Sequence, residues 1–200
     1  MKKYERYDHY YHKAKQMGLP SRASFKIEEL ISKYQLAKPG QVVMDLGAAP
    51  GGWTAILAPK VGKNGMVAAI DLENLSTSFG PQVKFIQADM MDPAAHAQLM
   101  ELLLPKTHVD AIFSDMSPKL SGITFRDAYL SYELVCQAHV MVNKFLKAGG
   151  HFVFKIFPGS EAQALLKQLK SEFKKVHVIK PEASRKTSKE EYVVCLEYKK

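Results

Sequence analysis

The chain has 200 residues, 46% of them hydrophobic, and its 28 Lys and Arg outnumber 20 Asp and Glu for a formal net charge of +8. That length suits one domain with a buried core, and no apolar run approaches the roughly 20 residues of a membrane helix. The positive balance points to a polyanionic partner, and Cys136 and Cys195, which lack CxxC spacing, speak against a zinc site and suit a reducing cytoplasm.

Residues 1–20 read as a basic, aromatic arm. Lys2, Lys3, Arg6, Lys13 and Lys15 are interleaved with Tyr4, Tyr7, Tyr10 and Tyr11. The stretch has no apolar h-region, so it is not a secretory signal. Cations among aromatics suit single-stranded RNA, where phosphates need charge and bases need flat surfaces; a solvated terminus is the plainer reading. His9 and His12 have no third ligand nearby, and no metal site is expected.

A single domain is expected over residues 21–200. "SRASFKIEELISKY" opens with a serine and carries apolar residues at helical spacing, so a helix precedes the sheet. Strand candidates follow as "QVVMDL", "GMVAAIDL", "VKFIQAD", "VDAIFSDM", "GHFVFKIF", "KKVHVIK" and "EYVVCLEYK", with helices expected at 53–61, 94–104, 127–146 and 160–172. The early strands are short, β-branched and nearly all apolar, as buried parallel strands are. Alternation of this kind predicts a doubly wound α/β domain: a seven-stranded, mostly parallel sheet with helices on both faces. Only the polar "PEASRKTSKE" separates the last two strands, which predicts an antiparallel C-terminal hairpin.

In such a fold, ligands lie beyond the carboxyl ends of the strands. "DLGAAPGGW" occupies that place after the first strand. Gly47, Gly51 and Gly52 let the backbone bend and a ligand approach, Pro50 stiffens the turn, and Trp53 can begin the next helix. The dinucleotide pattern GxGxxG fails here, and Asp45 at the strand end would repel a pyrophosphate. It suits an ammonium or sulfonium instead, and so S-adenosylmethionine rather than NAD. Asp71, followed by Leu72, closes the second strand and can accept from ribose hydroxyls. Asp89, followed by Met90, closes the third and can accept from the adenine amino group. Each carboxylate alone could be a cap or a solvated residue; three at successive strand ends beside a glycine loop point jointly to that cofactor.

Five blocks in unbroken order, "SRASFKIEEL", "DLGAAPGGW", "SDMSPKLSG", "FVFKIF" and "KPEASRKTSKEEYVV", run from about residue 20 to the end. Together they resemble the FtsJ/RrmJ family of ribosomal RNA large subunit (23S) ribose 2′-O-methyltransferases. The resemblance implies a Rossmann-like S-adenosylmethionine-dependent methyltransferase fold, S-adenosylhomocysteine as the product, and a cytoplasmic monomer. Its implied substrate is a uridine in the A-loop of 23S rRNA in the large ribosomal subunit. Relatives with the same motifs act on tRNA or on a cap, so another RNA stays open. So does a ribosome-assembly RNA-binding factor with a vestigial cofactor site; a nicotinamide-dependent dehydrogenase is a more distant alternative. The family's catalytic Lys-Asp-Lys-Glu pattern falls on Lys26, Asp115, Lys155 and Glu190, and Asp115 also joins the cofactor-binding set. Glu191 leaves a one-residue ambiguity for the last member, though strand alternation puts the two glutamates on opposite faces.

These residue types suit the chemistry. A ribose hydroxyl is a weak nucleophile, and its proton must leave near the transition state. A lysine can accept it if part of its population is neutral, which burial and a neighbouring cation promote. Lys155, between Phe154 and Ile156, is the better base candidate, with Lys26 holding the hydroxyl and Asp115 and Glu190 orienting the amines; which lysine is the base stays open. Without the family blocks, Lys155 reads equally as a snorkelling lysine, Asp115 as a turn residue near Pro118, and Lys26 and Glu190 as surface charge. Phosphate contacts are expected from Lys2, Lys3, Arg6, Lys13, Arg22, Arg185 and Lys186.

Overall fold

A computed structural model describes residues 9–185 and 187–200. Lys2, Lys3, Arg6 and Lys186, expected at the RNA surface, therefore lie outside the described residues. The elements run α1 (His9–Gln16), α2 (Ala23–Tyr34), β1 (Val42–Leu46), α3 (Thr54–Val61), β2 (Met66–Asp71), β3 (Val83–Gln87), α4 (Pro93–Leu103), β4 (Val109–Ser114), α5 (Thr124–Phe145), β5 (Leu146–Ile156), α6 (Ser160–Glu172), β6 (Phe173–Ile179) and β7 (Glu191–Tyr198). All seven expected strands form one sheet in the order β3-β2-β1-β4-β5-β7-β6.

The sheet is a Rossmann-like doubly wound layer. β1, β2, β3, β4 and β5 pair in parallel, and β7 runs antiparallel to both β5 and β6. β7 is thus an interior strand of the sheet. A hairpin reading of the last two strands does not reveal this, because local sequence cannot say which hairpin strand meets β5. The consequence is a cross-strand register that sets Lys155 opposite Tyr192.

Strand alternation sends side chains into two cores. Met44, Ile112, Phe152 and Phe154 pack with Leu99 of α4, Val142 of α5 and Leu169 of α6. Val43, Phe113, Val153 and Val194 pack on the other face with Ile27 of α2 and Leu57 of α3. Asp45 is two residues from Val43, and Lys155 two from Val153. Both therefore belong to the face covered by α2 and α3, and both are buried.

Three boundaries differ from the periodicity. α5 starts at Thr124, a turn before 127. The Asp127 carboxylate gathers Ser121 N–H (2.8 Å), Ser121 O–H (2.7 Å) and Gly122 N–H (3.1 Å), fixing the approach to that first turn. β5 starts at Leu146, with Val109 opposite Leu146 but Ala111 opposite His151. Gly149, at φ 74°, lies in the extra length this slip accommodates. Finally, residues 9–16 of the expected arm form α1, where Ala14 is buried with Phe25 and Ala183 and the Tyr10 ring lies 5.5 Å from that of Phe25. One small residue and one aromatic are too little apolar pattern to signal a helix. Among the described residues no helix is long and apolar enough to cross a membrane.

Candidate active site

The carboxyl ends of β1, β2, β3 and β4 open into a cleft of about 430 Å³. Six expected cofactor residues line it: Gly47, Asp71, Leu72, Asp89, Met90 and Asp115. Ala49, Glu73, Ser117 and Gln137 also line it. Every charged lining residue is acidic (Asp71, Glu73, Asp89 and Asp115), a lining that repels phosphate and suits a cation carrying hydroxyl and amino donors. Asp71 accepts from the N–H groups of Ala49 and Glu73, each at 2.8 Å, and Asp89 from that of Met91 at 2.9 Å. These bonds fix the two carboxylates in place, and a carboxylate has about four acceptor positions, so capacity for a ligand remains. Gly47, at φ 70°, turns the chain where an added Cβ would collide with the Met116 side chain on the same wall.

Five other expected cofactor residues do not line the cleft. Pro50 is exposed, and Trp53 is buried beneath the site, its ring 6.3 Å from Phe113 and 5.9 Å from Tyr192. An added Cβ at Gly51 would meet Phe79, and at Gly52 the Ser21 hydroxyl, so these glycines make room for protein rather than for a ligand. The Gly52 carbonyl accepts the Ser24 hydroxyl at 2.6 Å, clamping the glycine loop to α2. Asp45 is also outside the lining. It is fully buried, with Oδ2 accepting the Thr54 hydroxyl at 2.6 Å and Oδ1 without a partner. Burial foremost raises its pKa from 3.8 to about 7; the Thr54 hydrogen bond opposes this, and the charges of Asp115 and Asp71 add to it.

At one end of this cleft the four expected catalytic residues converge in a single chain of contacts. Lys155 Nζ donates to the Asp115 carbonyl at 2.7 Å and lies 3.0 Å from Asp115 Oδ1. The Tyr192 hydroxyl donates to the same Oδ1 at 3.0 Å and accepts from Lys26 Nζ at 3.2 Å. Lys26 in turn pairs with Glu190. Among the described residues the neighbouring Glu191 makes no such pair. Lys26 and Lys155 are 7% and 8% exposed, so both amines lie in low-dielectric surroundings where buried polar groups need partners.

Tyr192 escaped the sequence reading. Its ring is fully buried, and its hydroxyl joins the two halves of the cluster. Burial first, then the charges of Asp115 and Glu190, push its pKa well above the usual 10, so it stays a hydrogen-bond donor. The available signal was its place in "EEYVV", which becomes meaningful only once β7 is known to pair with β5.

A second, larger cleft of about 940 Å³ adjoins the first through Ser117, which lines both. Five cations line it, Arg22, Lys26, Lys180, Arg185 and Lys189, beside Asp127, Glu190 and Glu191. Its wall from the β6–β7 loop is pinned: Arg22 donates to Ala183 O at 2.5 Å, Glu182 N–H to Glu29 at 2.9 Å, and Lys180 to Ser188 O at 2.7 Å. Of the residues expected to contact phosphate, Arg22 and Arg185 line this cleft. Lys13 does not line the cleft; its amine sits 5.0 Å over the Phe25 ring.

At the tips of a doubly wound, Rossmann-like sheet an acidic cleft thus opens beside a cationic one. The chain belongs to the FtsJ-like methyltransferase family, whose sequence profile matches residues 19–198. It is similar to two proteins described as ribosomal RNA large subunit methyltransferase E. The one from Anaeromyxobacter sp. (strain Fw109-5) is 42% identical over 96% of this chain and 69% of the relative. The one from Syntrophobacter fumaroxidans is 41% identical over 96% of each. Among solved structures, a chain described as a ribosomal RNA methyltransferase from Plasmodium falciparum superposes with a TM-score of 0.79 at 29% identity, covering 90% of this chain and 98% of that one. A chain of a fibrillarin/Nop5p complex (TM-score 0.58, 17% identity, 86% and 80% covered) shares the fold.

Proposed function

We propose that this enzyme transfers a methyl group from S-adenosylmethionine to a ribose 2′-hydroxyl of 23S rRNA, on a uridine of the A-loop in the large ribosomal subunit. The observation that carries the reading is the position of the Lys26–Glu190–Tyr192–Asp115–Lys155 cluster between the acidic and the cationic cleft. The relatives' description as rRNA large subunit methyltransferases supports the choice of RNA.

The acidic cleft fits the cofactor by its donor set: carboxylates for hydroxyl, amino and ammonium groups, and among the described residues no lining cation to oppose a sulfonium. When bound, the cofactor supplies an activated methyl group on a sulfonium and leaves as the thioether. Asp71 would accept from the ribose, and Asp89 with the Met90 backbone would hold the adenine.

The protein's own work is alignment and proton removal. Lys26, which lines the cationic cleft, donates to the substrate hydroxyl and positions it, with Glu190 fixing the amine. Lys155 takes the proton. In its neutral form an amine has two N–H donors and one lone pair; the carbonyl and carboxylate of Asp115 absorb the donors, leaving the lone pair for the hydroxyl proton. Transfer would leave the hydroxyl proton on Lys155. The positioning of that hydroxyl by Lys26 would supply much of the acceleration. The cations of the larger cleft hold the RNA backbone.

The test is incubation with methyl-labelled cofactor and, separately, ribosomes, large subunits and tRNA, followed by mass mapping of 2′-O-methyl sites. Label in 23S rRNA at one ribose is expected. Label in tRNA alone would sink the rRNA assignment, and label on a base would sink the 2′-O chemistry.

A further inference from the structure

Among the described residues twelve large apolar side chains stand exposed, and four of them, Leu120, Ile123, Phe125 and Tyr129, fall within ten positions. Phe125 is the most exposed of the twelve, at 79%. A run of this density is more than scattered surface apolarity, and it marks an interaction site. Its place is specific. Leu120 and Thr124 line the cationic cleft, Phe125 directly follows Thr124, and Phe125 and Tyr129, four apart on α5, share one helix face. The segment is also held in position. Asp127 collects three hydrogen bonds from Ser121 and Gly122, and Lys189, from across the cleft, donates to the Thr124 hydroxyl at 3.1 Å.

We propose that this lip, centred on Phe125, is a stacking platform for an unpaired RNA base flanking the nucleotide whose ribose enters the active site. It rests on the reading of the cationic cleft as an RNA site. The occupant must offer both negative charge, for the five cations of the adjoining cleft, and a flat apolar surface, for an aromatic ring left in water. Single-stranded RNA has both, and base–aromatic stacking needs no particular base. A second copy of this chain fits poorly, since two molecules of formal charge +8 would meet beside their cationic clefts.

The experiment uses a single-stranded RNA oligonucleotide carrying 2-aminopurine, whose fluorescence falls on stacking, without cofactor. The wild-type chain is expected to quench it at saturation. Phe125→Ala should abolish the quenching and weaken the Kd about tenfold, while Phe125→Trp keeps both near wild type. The slope of log Kd against log salt should be the same in all three, because no phosphate contact is removed. Unchanged Kd and quenching in Phe125→Ala, or no quenching by the wild type, would overturn the proposal. So would a dimer that Phe125→Ala dissociates in sedimentation with RNA affinity intact, which would make the lip a contact between copies. These readouts require no methyl transfer, so an error in the substrate or chemistry assigned above leaves them interpretable, and an error here leaves methylation standing.

Discussion

Replacing Asp45 by Asn should remove a pH dependence built into the centre of the sheet. Asp45 is fully buried on β1 with Thr54 as its hydrogen-bond donor, and its pKa is raised from 3.8 to about 7. Burial is the main cause; the charges of Asp115 and Asp71, both on the cleft wall, add to it. Between those two values the folded protein holds a proton that the unfolded chain has released, so stability falls as pH rises through the window and levels off above about 7. The window spans about three pH units at about 1.4 kcal/mol each, or about 4 kcal/mol in full, less whatever the surroundings recover by relaxing around the charge. Asn keeps an acceptor for Thr54 and does not titrate. Urea unfolding of both proteins at about pH 5 and about pH 8 should therefore show the variant gaining about 2–3 kcal/mol on wild type between the two conditions. The absolute stability of the variant is not the readout, since its buried amide carries its own cost. Curves that stay parallel across the range would refute the reasoning. The same proton should affect ligand binding: a cation held near Asp71 and Asp115 favours ionised Asp45, so cofactor affinity should rise with pH through 7 in wild type and stay flat in Asp45→Asn.

Other perturbations test other parts of the site. Lys155→Ala should abolish methyl transfer while calorimetry shows cofactor affinity within a few-fold of wild type; undiminished turnover would remove Lys155 from the mechanism. Asp71→Asn should weaken cofactor binding by about 1.5–3 kcal/mol, the worth of hydrogen bonds to a charged group, and an unchanged Kd would mean the ribose lies elsewhere. Gly52→Ala should cost about 1–3 kcal/mol in denaturant unfolding, because the added methyl enters the space of the Ser21 hydroxyl. Ser21→Gly in the same chain should restore part of that loss, and no recovery would place the strain elsewhere.

Much of the site was legible residue by residue. Asp71, Asp89 and Asp115 follow apolar strands and end up on the cleft wall, because in a parallel sheet the residue closing a strand is the residue facing a ligand. The glycine loop was legible as a loop but not in its parts. Gly47 borders the cleft, whereas the atoms filling the space beside Gly51 and Gly52 belong to Phe79 and Ser21, remote enough in sequence that no local pattern reports them. Gln137 was invisible for a related reason: it reaches the cleft from the middle of α5, away from the strand ends that signalled the other residues.

Chain chemistry alone therefore settled the layered α/β class, the order of strands and helices from α2 onward, and the acidic residues at the strand tips, since apolar periodicity and strand-end position are short-range properties. Tertiary structure decided that β7 lies between β5 and β6, that Tyr192 thereby faces Lys155 and links it to Lys26, and that the β6–β7 loop folds back on α2 to complete the cationic cleft. Those contacts join residues up to 166 positions apart. Burying a charged group is costly unless partners from other strands and helices meet it, and no stretch of sequence can specify those partners by itself.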